Sequence, residues 1–202
     1  MLKVFVKHLR LIIVWGLIVG ILSGGISLLF PMKYSAESQV LIISRDRTGV
    51  DPYTQVKSAE RIGENLAQVM RTTDFYQKVM ESTATFDRNR WTSLSERKQR
   101  KLWQKDVVGG MIYGSSLLKI TTYSESKDDA KALSDAVTQM VASRGWEYVG
   151  GDVAIKSVNS PLVSNFPARP NLLMNILVGF IAGVLLAGLW VYRSKRHLFG
   201  DF

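Results

Sequence analysis

Two long stretches without a charged residue, 11–30 and 172–192, sit near opposite ends of this chain and limit what the rest can become. They are 20 and 21 residues long. A helix rising about 1.5 Å per residue makes each long enough for the roughly 30 Å hydrocarbon core of a bilayer. One such helix could be the buried core of a soluble protein, but two in a chain of 202 residues leave too little sequence to cover both. Both read as transmembrane helices. Lys3, Lys7 and Arg10 also suit the leader of a secretory signal, whose apolar core usually runs about 7–15 residues and closes on small side chains. This run is longer and closes on Leu28-Leu29-Phe30-Pro31, so it reads as a retained anchor.

Orientation follows from basic residues flanking the spans. Lys3, Lys7 and Arg10 precede the first without an acid among them, and Arg193, Lys195 and Arg196 follow the second. Both tails, 1–10 and 193–202, are therefore expected in the cytoplasm, with residues 31–171 extracytoplasmic. Tyr34, Trp190 and Tyr192 suit interfacial aromatic belts. The net charge of +9 fits tails lying against an anionic leaflet, and a domain outside the cytoplasm is not expected to bind nucleic acid. The chain has no cysteine, which removes disulfides, thiolate metal sites and cysteine nucleophiles.

The segment between the spans carries the patterns of a folded domain. Val40-Leu41-Ile42-Ile43, led in by Tyr34 and Ala36, predicts a strand buried on both faces. Asp51-Pro52 reads as a break, and Val56, Ala59, Ile62, Leu66 and Val69 then predict an amphipathic helix over 55–70. A short helix over 75–80 takes Asp74 as its cap. Ser93-Leu94-Ser95-Glu96 matches a capping box ahead of a charged helix over 94–105. Gly109-Gly110 separates it from strands at 111–113 and 117–123. Ser126 and Asp129 form a second capping box, opening a helix that runs to about residue 146, with a last strand at 153–158. The order predicts one α+β domain, a three- or four-stranded sheet packed with helices between two transmembrane helices. Residues 157–171 hold three of the five prolines, Pro161, Pro167 and Pro170, and read as a stiff connector without regular structure.

Residue chemistry argues against catalysis. The only histidines are His8 and His197, both in the tails, so the middle segment offers no histidine base and no usual zinc site. Ser116 and Lys119 lie three apart in a strand-like run and face opposite sides. Asp128-Asp129 is the acidic start of a helix. No enzyme, cofactor or metal is expected. The spans carry a sharper signal. Gly16, Gly20 and Gly24 recur at four, as do Gly179, Gly183 and Ala187, each series forming a groove for close helix packing. The partner is either the other span or a neighbouring subunit. Asn175 would prefer a polar partner to lipid. The stretch 88–105 holds Arg88, Arg90, Arg97, Lys98, Arg100, Lys101 and Lys105 against one acid, with Trp91 and Trp103 interleaved. It reads as a contact for an anionic glycan, lipid phosphates or another subunit, or simply as a solvated face.

The succession of Pro31-Met32-Lys33-Tyr34-Ser35-Ala36, then Leu117-Leu118-Lys119-Ile120-Thr121 with Ala130 beyond, and lastly Pro161, Pro167 and Pro170 running into a glycine-rich span resembles the polysaccharide co-polymerase family. These are the Wzz-type chain-length determinants of bacterial surface polysaccharides. The resemblance covers nearly the whole chain and lies in the architecture more than in any residue. It implies a bacterial inner-membrane homo-oligomer that scaffolds the polysaccharide polymerase and the growing glycan. The chain departs from larger members in having no stretch long enough for an extended helix, and from others in having no fused kinase. It is similar to short adaptors whose tyrosine kinase is a separate chain, which would implicate Phe199 and Phe202 in kinase contact. The alternatives are an adaptor that only activates such a kinase, and a ligand-sensing domain.

Overall fold

The computed structural model describes residues 8–44, 51–150 and 153–196. In chain order the elements begin with α1 (Leu9–Ser27), β1 (Tyr34–Ser44), α2 (Pro52–Val69), α3 (Thr73–Met80) and α4 (Asn89–Thr92). They continue with α5 (Glu96–Asp106), β2 (Val107–Met111), β3 (Leu117–Ser124), α6 (Lys127–Arg144) and the single turn α7 (Trp146–Val149). Strands β4 (Val153–Ser157) and β5 (Leu162–Val163) follow, and α8 (Leu172–Arg196) closes the described chain. The chain divides into two compact units, residues 33–168 and a second that joins 1–32 to 169–202.

The second unit is the pair α1 and α8, both long and apolar enough to cross a membrane. Most of their side chains face outward, among them Ile21, Leu22, Leu185 and Leu189, unlike a core helix of a soluble protein. What is buried on α1 is Ile12, Gly16, Gly20, Gly24 and Ser27, a stripe with near-fourfold spacing. Gly179, Gly183, Ala187 and Val191 make the matching stripe on α8. The Asn171 side chain opens α8 by accepting the Met174 N–H at 3.1 Å.

Residues 33–168 form an α+β unit with an antiparallel sheet ordered β2-β3-β1-β4, β5 also pairing with β1. The sheet thus has five strands rather than three or four. β1 is one long strand, and its burial alternates. Ala36, Ser38, Val40 and Ile42 are buried, while Glu37, Gln39 and Leu41 are only partly covered. The expectation of a strand buried on both faces fails because Val40 and Ile42 point into the core shared with α2 and α6, and the opposite face carries polar groups such as the Glu37–Lys119 ion pair. Leu118, Ile120 and Val107 meet Leu66, Met70, Phe75, Leu133 and Val137 in a single core. Hydroxyls fix the register of α6 inside it: Ser134 Oγ reaches Ser38 Oγ at 3.1 Å, and Ser38 Oγ lies 2.5 Å from Thr138 Oγ1.

Several local expectations are corrected. Asp51-Pro52 starts α2 instead of breaking the chain. Pro52 occupies the first turn, where no N–H is needed, and the Asp51 carboxylate accepts from the Tyr53 and Thr54 N–H groups. Thr72, not Asp74, caps α3. The box at Ser93 is not formed, because Ser93 ends α4 and α5 begins after Ser95 without a side-chain cap. Ser126 does cap α6, accepting from the Asp129 N–H at 3.5 Å. Gly109-Gly110 lies inside β2, where Gly109 passes close to α2: a Cβ there would sit 3.2 Å from Ala67. Tyr34 begins β1 and lies under the Lys127 ammonium, 5.2 Å from its ring centroid.

Candidate functional site

The predicted small-residue stripes meet each other within one chain. A Cβ added to Gly183 would lie 2.9 Å from the Gly16 Cα and 2.9 Å from the Trp15 carbonyl oxygen. At Gly20 it would come within 3.1 Å of the Ile176 carbonyl, and at Gly179 within 3.1 Å of that of Val19. Gly16 and Gly24 abut side chains instead, Val184 Cγ2 at 2.7 Å and Ile176 Cγ1 at 2.7 Å. Ala187 packs with Ile12 and Val191 at the far end of the seam. Polar groups close the other end. Asn175 Nδ2 donates to Ser27 Oγ at 2.8 Å, Ser27 Oγ donates to the Ser23 carbonyl at 2.9 Å, and Ser23 Oγ donates to the Asn175 carbonyl at 3.0 Å. Asn175 thus has the polar partner that an apolar setting demands.

The proline-rich segment is more ordered than a bare connector. It runs antiparallel to β1, with Val163 opposite Ala36 and Leu162 opposite Glu37. The N–H groups of Val158, Ser164 and Ala168 donate to the carbonyls of Gln39, Ser35 and Lys33 at 3.0, 2.8 and 2.7 Å. None of these donors is a proline, which is how Pro161 and Pro167 are accommodated beside a strand. Pro161 is buried and Pro167 half-buried, while Pro170 belongs to the helical unit and follows a cis peptide bond.

The basic stretch splits into two classes. Arg88 and Arg90 are turned inward. The Arg88 guanidinium donates to the Ser82 and Ala84 carbonyls at 2.6 and 2.7 Å. Arg90 pairs with Asp106 at 2.9 Å, and Lys33 reaches the other oxygen of that carboxylate at 2.6 Å. Asp106 has 0% of its side chain exposed, and its cations 13% and 15%. Trp91 and Trp103 are core residues too, stacked edge to face at 5.9 Å, with the Trp103 indole N–H on the Met70 carbonyl. Only Arg97, Lys98, Arg100, Lys101 and Lys105 remain exposed on α5. Sequence reasoning missed the Asp106 triad. Its one signal was spacing: Asp106 follows Trp103 by three residues and shares its buried helix face.

A second unforeseen group clamps α3 to the end of α6. The Lys78 ammonium contacts Glu147 at 2.8 Å, the Tyr148 hydroxyl at 2.9 Å and Asp74 at 3.2 Å, and Arg144 holds Glu147 at 3.1 Å. The Tyr148 hydroxyl donates to Asp74. That hydroxyl and then Lys78 hold the Asp74 carboxyl below its usual range, and Lys78 does the same for Glu147. Glu147, Tyr148 and Asp74 in turn keep Lys78 protonated to higher pH than an ordinary lysine.

Phe199 and Phe202 lie outside the described residues. Ser116 precedes β3, and its carbonyl accepts the Ile42 N–H at 2.9 Å, while Lys119 pairs with Glu37. Asp128 and Asp129 occupy the first turn of α6. No protein-family model matches the chain, and no curated protein matches it.

Proposed function

We propose that this chain is a two-pass protein of the bacterial inner membrane that scaffolds polymerisation of a surface polysaccharide without catalysing it. In this reading both termini are cytoplasmic and residues 31–171 are extracytoplasmic. The observation that carries it is the pairing of two apolar, glycine-striped helices with one α+β unit strung between them in sequence. That unit brings its own ends together, since the Ala168 N–H donates to the Lys33 carbonyl. Two paired spans with a folded domain between them in sequence suit a protein that presents a surface to partners beyond the membrane. The feature order that resembles the co-polymerases supplies the polysaccharide.

The glycine stripes are occupied within the chain, so copies associate through the α+β unit and the outward helix faces. Polymerase and growing glycan would then meet the assembled domains, and the time spent engaged sets chain length.

The test is a deletion strain of the encoding gene, with the surface polysaccharide resolved by size. The expected result is an altered length distribution or amount, restored by the intact gene. An unchanged distribution and amount sinks the reading. Topology is tested separately, because the chain lacks cysteine and one introduced thiol reports alone. Lys131→Cys on the exposed side of α6 should react with a membrane-impermeant maleimide in cells whose inner membrane is intact.

A further inference from the structure

Resting on that reading, we infer that the exposed face of α5, with the depression beside it, binds an acidic polysaccharide. Arg97, Lys101 and Lys105 follow one another at successive turns, so their row extends about 12 Å at a rise of about 1.5 Å per residue. Lys98 stands beside them. Among the described residues Arg97, Lys98 and Lys101 have no ion-pair partner, and Arg100 has a single long contact, 3.4 Å from Glu96.

Next to this row a shallow depression of about 640 Å³ is lined by Gln68, Arg71, Thr72, Thr73, Arg100 and Gln104. Every lining side chain is polar, two are guanidinium groups, and no carboxylate is among them. Arg71 has no partner for its guanidinium among the described residues. Gln104 spends one amide N–H on the Arg71 carbonyl at 3.3 Å, and the Thr72 hydroxyl caps α3. Gln68, Thr73 and the rest of the Gln104 amide are left for sugar hydroxyls, and the two guanidinium groups for carboxylates. Asp74, two residues beyond Thr72, is taken up by Lys78 and Tyr148, and Glu96 makes only the long contact to Arg100.

Two features select a water-borne polymer over other anions. No large apolar side chain is exposed anywhere on α5, so the face lacks what an interfacial helix inserts between lipids. Exposed cations a turn apart hold a single small anion weakly once salt screens them, whereas repeated charges on one chain act together.

The test uses the full-length chain in nanodiscs of neutral phosphatidylcholine, with fluorescent polygalacturonate oligomers as the probe. Expected are binding that weakens as salt rises, no binding of dextran, and much poorer binding of free galacturonate. Arg71→Gln with Arg100→Gln should raise Kd by roughly tenfold or more, as loss of charge-assisted hydrogen bonds does. Lys131→Gln on α6 should leave it unchanged, and matching thermal midpoints should show that all variants fold. Equal binding of dextran or free galacturonate, an unaltered Kd in the double variant, or capture of phosphatidylglycerol vesicles in place of the oligomer overturns the inference. Its failure beside an altered polysaccharide in the deletion strain removes only this site. Binding beside an unchanged polysaccharide removes the scaffolding role instead.

Discussion

Asp106 is a buried charge held by two cations. Its carboxylate is fully buried between Arg90 and Lys33, so removing it leaves two cations facing each other in a poorly solvated place. Breaking a buried pair by deleting one partner costs about 3–5 kcal/mol. Asp106→Ala should lower the denaturant midpoint of the α+β unit accordingly, with Lys33→Met costing less because one cation then keeps its anion. The Lys78 clamp gives a pH signature instead. Asp74 and Glu147 have folded-state pKa values depressed below their ordinary 3.8 and 4.5, so their contribution is present above those values and is lost as pH falls through the lower ones. Lys78, raised above its ordinary 10.5, contributes fully below that value and less as pH climbs through the higher one. Thermal midpoints measured across pH should therefore fall in acid, and Lys78→Met should flatten that acid limb. Of these partnerships only the helix-spaced pairs Asp74–Lys78 and Arg144–Glu147 were legible in the sequence. Arg88 and Arg90 look like surface charges because backbone carbonyls just upstream of Arg88 leave no mark in side-chain pattern, and the Arg90 carboxylate partner lies 16 residues further on.

At the scale of elements, the helix seam was the most readable part. A four-residue spacing of glycines maps directly onto one side of a helix, and tertiary context does not alter that geometry. Gly183 faces two backbone atoms, the Gly16 Cα and the Trp15 carbonyl oxygen, which cannot rotate away. Gly183→Val should push α1 and α8 apart, costing about 1–3 kcal/mol of pairing. Spin labels at the matched ends of the two helices should report a longer and broader distance. Asn175→Leu should act in the same sense but more weakly, by about 1 kcal/mol, since it removes one interhelical hydrogen bond. Signals that depend on a choice between neighbouring residues were less legible. Ser93 and Ser95 both look like caps, and Thr72 competes with Asp74. Asp51-Pro52 spells either a break or a helix start; the start is possible because the first turn needs no N–H from Pro52 and Asp51 caps the next ones. The glycine pair in β2 looked like a separator between elements because the helix residue that Gly109 makes room for, Ala67, is about 40 residues earlier.

For the whole molecule, class and order of elements followed from alternating and helical periodicities, which report on one face at a time. What they cannot report is which strands neighbour which. The proline-rich segment was therefore read as a tether, although three of its N–H groups bond to residues 33–39. Because that segment returns to the residues where β1 begins, the α+β unit is closed on itself. Residues 33–168 produced alone should fold as a soluble, cooperative unit. A dispersed amide spectrum and a single unfolding transition would check this, and a molten product would show that the helices are needed.

The same closure has a mechanical consequence. Residues 33 and 168 lie at one end of an antiparallel ribbon, so a load that draws them apart falls first on the bond between Ala168 and Lys33, then on that between Ser164 and Ser35. Bonds arranged this way peel in succession at low force, whereas a pull along the strands would shear them all together. Opening across those two ends is therefore graded, one hydrogen bond at a time.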